Sequence, residues 1–116
     1  KRRYSMNVLE NIPYNDEKMG MRKVVDTQHL LVMQIALRPG QSVPQHSANS
    51  HVHLLVMQGN LNVTLDGADN HVTEGDIVPV DYRTRMIITN AGNDNAAFLV
   101  LKTPHPSEIE KENVRR

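Results

Sequence analysis

Apolar and polar residues alternate along most of this chain with a period of two. The clearest stretch, Leu61-Asn62-Val63-Thr64-Leu65, puts leucine and valine on one face and asparagine and threonine on the other, as a half-buried β-strand does. Asp66-Gly67 follows at once and predicts a tight hairpin, because glycine tolerates the positive φ that such turns need. Similar patterns predict strands over residues 21–27, 29–37, 43–46, 52–58, 72–74, 77–80, 85–89 and 96–102. Turn residues separate them at Arg38-Pro39-Gly40, Gly59-Asn60, Gly75-Asp76 and Ala91-Gly92-Asn93-Asp94. Many short strands with close turns point to an all-β sandwich or barrel. Only the end departs from this pattern. Pro104-His105-Pro106 stops the last strand, and Ser107 with Glu110 has the spacing of a capping box, predicting one short polar helix or a frayed tail.

One stretch recurs letter for letter: His29-Leu30-Leu31-Val32-Met33-Gln34 returns as His53-Leu54-Leu55-Val56-Met57-Gln58. A single copy is too little for a repeat architecture. The two are read as buried strands drawing on the same apolar residues.

Composition narrows the function classes. The 116 residues suffice for one closed core, divided as an N-terminal extension or edge strand over 1–20, a barrel over 21–104 and a tail over 105–116. Thirteen Lys and Arg balance thirteen Asp and Glu, so no basic stripe recommends a nucleic-acid partner. The one basic cluster, Lys1-Arg2-Arg3, reads as a solvated terminus. Without cysteine there is no disulfide and no thiolate site, which suits a reducing compartment. Apolar runs reach only about six residues, far from the roughly 20 that span a bilayer. No apolar stretch follows the N-terminal charges as in a signal peptide. A cytoplasmic protein with no membrane partner is the expectation.

The motifs then narrow the fold. His46, Ala48, Val52 and Gly59 follow Gly40 at fixed distances; Pro39-Gly40-Gln41-Ser42-Val43-Pro44-Gln45-His46 reads as an entry turn and strand, and Val56-Met57-Gln58-Gly59-Asn60-Leu61 as a glycine turn into the next strand. A later block runs from Gly75-Asp76, before Ile77-Val78-Pro79-Val80, to Asn90. At these distances, residues 40–104 resemble a single-domain cupin, a double-stranded β-helix or jelly roll. The resemblance implies a divalent metal held by three histidines and a glutamate, at positions occupied here by His46, Ala48, Val52 and Met86. Only the imidazole among these is a strong ligand for a hard or borderline metal. The standard metal site is therefore expected to be absent, no cofactor is expected, and Met86 becomes an apolar plug for the vacated space. The family usually has proline and glycine where this chain has Asp81 and Arg83, so the conformation of that loop is an open question.

Strand phase points the same way. If Val52 faces the lumen, Leu54 and Val56 follow it and His51, His53 and Leu55 face outward. The predicted ligand pocket is thus His46, Ala48, Val52, Leu54, Val56 and Met86, a wall suited to hydrophobic packing or an apolar ligand. The half-apolar outer face, together with the resemblance, implies a homodimer. The function expected is small-molecule binding, in an accessory or sensor role without catalysis. Two alternatives stand beside it. A bulge near Asn49-Ser50 would turn His51 and His53 toward His46, giving a divalent transition metal site for a dioxygenase or isomerase. Alternatively, His46 as base and Tyr82 as acid would serve a metal-independent isomerase or lyase, if the Tyr82 loop closes over the barrel mouth. Arg83 or Arg85 is a candidate receiver of an anionic ligand at that mouth. His71 and His105 read as solvated, and His29 as a strand-opening cap or subunit contact.

Overall fold

The structure, a computed structural model, describes residues 5–114. Lys1-Arg2-Arg3 lies outside them. Nine strands and one helix follow in order: β1 (Gly20–Asp26), β2 (Leu31–Leu37), β3 (Ser42–Ser47), β4 (His51–Gln58), β5 (Asn60–Leu65), β6 (Ala68–Thr73), β7 (Ile77–Val80), β8 (Arg85–Thr89), β9 (Ala96–Thr103) and α1 (Pro106–Val114). They form two antiparallel sheets, β1-β2-β9-β4-β7 and β3-β8-β5-β6, whose inner faces enclose one core. Phe98, Leu37, Leu61, Ile88 and Val63 are among its fully buried members. Burying a side chain such as Phe98 contributes about 2–3 kcal/mol. The predicted double-stranded β-helix is what forms. Among the described residues no helix is long and apolar enough to cross a membrane.

The hairpin between β5 and β6 is the one that Asp66-Gly67 predicts. Both residues have positive φ, 46° and 85°, which matches the twist of a two-residue loop to that of its strands. Gly59 works under a tighter constraint. Its φ is 79°, and a Cβ there would lie 2.4 Å from the Asn95 carbonyl oxygen, so the turn admits no side chain.

Strand β6 is longer than its pattern predicts. It buries only Val72 and owes its extent to the ladder with β5, an edge pairing that polar side chains tolerate. The helix also starts differently. Pro106 opens it in place of a Ser107 capping box, and His105 caps it, its Nδ1 accepting from the Ser107 backbone N–H at 3.1 Å. His105 Nε2 lies 3.1 Å from Asp26 Oδ1. This histidine is therefore a packed link between α1 and the end of β1, not a solvated one. His71 is exposed as expected, and His29 sits exposed in the β1–β2 turn, two residues before the strand it was expected to open.

The repeated hexapeptide is used in opposite phases. In β4, Val56 faces the core and Met57 faces out, whereas in β2 the matching Met33 packs against the core and Val32 lies on the outer side. Strand β2 can bury both faces because the N-terminal segment covers its back. There Gln34 Nε2 donates to the Val8 carbonyl at 2.7 Å, and Arg22 reaches the Glu10 and Asn11 carbonyls. The described residues before Gly20 thus pack as an extended cover, with β1 as the edge strand.

Candidate functional site

Between the sheets, toward the end formed by the tail of β3 and the turn after it, lies a cavity of about 350 Å³. Its wall is mostly alkyl and thioether. Val52 and Leu54 come from β4, Ile35 from β2, Val100 from β9 and Ile88 from β8. Met19, Met21, Met33 and Met86 add four thioethers. Methionine is flexible and polarizable, so such a wall adapts to differently shaped apolar guests.

Five of the six predicted pocket residues line this space: His46, Ala48, Val52, Leu54 and Met86. Val56 does not. It lies deeper on the same inner face, inside the core. The predicted phase of β4 holds, because the strand pairs with β9 without interruption from His51 to Val56 and so keeps Val52, Leu54 and Val56 inward. Met86 is buried, 3% exposed, but it forms one wall and leaves the lumen open.

The bulge near Asn49-Ser50 that one alternative requires does not turn β4; a register shift falls instead on β3, between Val43 and His46. Pro44 lies in that interval and cannot donate to a ladder, which favours an irregularity there. The shifted register sets His46 opposite Met86, at the cavity rim and exposed. Its Nδ1 lies 3.0 Å from the Pro44 carbonyl oxygen. That oxygen can only accept, so Nδ1 carries a proton, and in the neutral imidazole Nε2 is then an acceptor.

Neither catalytic grouping is assembled. His51 and His53 stay on the outer face of β4, exposed, because no bulge reverses them. Among the described residues no three His, Cys, Asp or Glu side chains gather as a metal-binding group. At the positions where the resemblance implies ligands, the cavity has an alanine methyl, a valine and a thioether beside one imidazole. This donor set does not fit an oxygenase-type divalent metal. Tyr82 does not line the cavity that His46 borders. Its ring lies 6.3 Å from that of His51 on the outer side, with the Arg83 guanidinium 5.0 Å from its centroid. Hydrogen bonds from Arg83 and then Asn113 hold its phenol below the usual range.

Arg83 itself answers the loop question. Its φ is 72°, the left-handed conformation that the family's glycine would adopt freely. The loop keeps its shape because Arg83 N donates to the Ala48 carbonyl and Ala48 N to the Thr84 carbonyl, both at 2.8 Å. Neither Arg83 nor Arg85 borders this cavity.

The cation that does was missed. Lys102 lies opposite Val52 on β9 and continues the inward period through Phe98 and Val100. Period two carried one step past Val100 would have found it. Its ammonium donates to Asn49 Oδ1 at 3.0 Å, and burial lowers its pKa, because the charged form loses hydration. The turn carrying Asn49 is pinned by buried Ser50, whose hydroxyl donates to the Pro104 carbonyl at 2.6 Å.

No family model matches the chain. An uncharacterized protein of Methanocaldococcus jannaschii is 37% identical over 90 residues, 77% of this chain and 78% of its own length. The crystal structure of that archaeal protein, described as an RmlC-like cupin family protein with a double-stranded β-helix fold, superposes with a TM-score of 0.75 at 32% identity, covering 84% of this chain and 92% of that one. A Klebsiella pneumoniae protein with a double-stranded β-helix domain reaches a TM-score of 0.80 at 19% identity, over 89% of this chain and 91% of its own. KdgF from Halomonas sp. reaches 0.74 at 17% identity, over 94% and 99%. The last two are likenesses of fold alone.

Proposed function

The chain belongs to the RmlC-like cupin family, and on that footing we propose that it is a small-molecule-binding module, accessory or sensor in role, whose barrel takes a partly apolar ligand where relatives of the resembled type hold a metal. The observation that carries this is the cavity of about 350 Å³ with its alkyl and thioether wall. It falls in the size range of ordinary ligand pockets, roughly 300–1,000 Å³. His46 serves at its rim as a hydrogen-bonding group with Nε2 available to a ligand donor.

The test uses octan-1-ol as the apolar probe. Titration calorimetry should give saturable one-to-one binding to the wild type. Met33→Trp, which places a larger side chain on the wall, should weaken that binding about tenfold or more while the melting temperature changes little. Wild-type protein that shows no saturable binding, or a Met33→Trp variant that binds unchanged, would remove the basis of the proposal.

The module is a homodimer in this proposal. Ile77, Leu55 and Leu99 stand side by side across β7, β4 and β9 on the outer face, and Ile77 is 58% exposed. A second copy would bury this row. Analytical ultracentrifugation at micromolar concentration should give twice the 13.1 kDa chain mass for the wild type and the single mass for Leu55→Glu. A monomeric wild type would refute the dimer.

A further inference from the structure

We infer that the cavity selects a monocarboxylate with an apolar tail, its head group bound by Lys102 at the rim. The inference rests on the cavity proposal above and adds the ligand's charge and polarity. Among the described residues, Lys102 is the only lysine or arginine on the wall and no carboxylate borders the space. The ion pairs among the described residues join Lys23 to Asp26, Arg38 to Asp16, His105 to Asp26 and Lys111 to Glu108. None includes Lys102, whose one side-chain hydrogen bond there goes to the neutral amide of Asn49. A half-buried ammonium with only an amide oxygen as partner is left without charge compensation.

An anion entering the cavity supplies that compensation. A lone ammonium is a single point charge, which balances one negative charge and leaves a phosphate dianion half compensated. One positive charge therefore matches one negative charge. The remaining polar wall groups, Gln45, His46 and Asn49, come from β3 and the turn after it, and Asn49 touches Lys102 directly. The rest of the wall is methionine and aliphatic. A carboxylate at the polar rim with its alkyl chain against Met33, Met86 and Val52 satisfies both parts, and a neutral chain satisfies only one.

The experiment compares octanoate with octan-1-ol by titration calorimetry on folded protein, each variant checked by its melting curve. Wild type is expected to prefer octanoate by about tenfold or more. Lys102→Met should lose that preference and keep octanol binding within about twofold, because the alkyl stem survives. Lys102→Arg should retain the preference. As a check needing no substitution, the Lys102 side-chain NMR signals of the wild type should shift on adding octanoate and stay in place with octanol. Equal binding of the two probes by wild type would overturn the carboxylate inference and leave the cavity proposal standing. Failure of both probes to bind would overturn the cavity proposal and this inference with it. A Lys102→Met variant that still prefers octanoate would place the head group elsewhere and refute the role of Lys102.

Discussion

Nickel should bind one-to-one to the triple variant Ala48→His, Val52→Glu, Met86→His, and the wild type should gain no comparable inner-barrel ion. The three positions share one cavity wall with His46. Met86 is the Cα partner of His46, Ala48 is tied to the neighbouring loop through Thr84 and Arg83, and Val52 is 1% exposed on the inner face. Imidazoles at 48 and 86 with a carboxylate at 52 would add three nitrogen and oxygen ligands to the existing one, a set that suits nickel or manganese. Without metal the variant should be less stable, because a buried unpaired carboxylate costs about 3–5 kcal/mol. Metal at about a thousand times its dissociation constant would return about 4 kcal/mol, so the melting temperature should rise by well over 10 °C on adding nickel. Elemental analysis and thermal melts read both effects. A folded triple variant that takes up no nickel would show that these side chains do not converge, and the assignment of Ala48, Val52 and Met86 to the ligand positions would fall.

Asn90→Ala should be among the most damaging single substitutions, lowering stability by about 3–4 kcal/mol and the melting temperature by about 12–20 °C. Asn90 is fully buried. Its Nδ2 donates to the Leu37 carbonyl at 2.9 Å and the Asp94 carbonyl at 2.8 Å, and its Oδ1 accepts from Gly92 N at 3.1 Å. One side chain thus satisfies backbone groups at the end of β2 and across the loop before β9. Truncation takes this partner from the buried Leu37 carbonyl and from the part-buried Asp94 carbonyl and Gly92 N–H, each costing about 1 kcal/mol. Urea denaturation of wild type and variant measures the difference. A loss below about 1 kcal/mol would mean that water replaces the amide and that the network is not a structural lock.

Much of the fold was legible because alternation is a local signal. Strand β5 and the Asp66-Gly67 turn could be read from eight consecutive letters, since pleat and positive φ depend only on neighbours along the chain. The inward phase of Val52, Leu54 and Val56 followed from the same period, and with it the mostly apolar wall of the candidate site. Strand β6 extends beyond its apolar pattern because its pairing, and not its composition, defines it. One alternative puts the Tyr82 side chain at the barrel mouth, but its ring lies tilted beside His51, because the loop's direction is set by Arg83 N donating to the Ala48 carbonyl and Ala48 N to the Thr84 carbonyl. The sequence around His105 predicts a solvated side chain because its partner, Asp26, lies far away along the chain.

Local chemistry along the chain, then, determined most of the strands, the turns and the inward apolar stripe. Each of these depends on residue type and on periods of a few residues. Tertiary structure decided the rest: that the bulge falls at Pro44, that the two copies of the hexapeptide turn opposite faces to the core, that a lumen stays open beside Met86, and that Lys102 stands at its rim next to Asn49. These depend on which strands lie side by side. Sheet pairing joins residues distant in the chain, and no short-range period records which distant partner a strand will take.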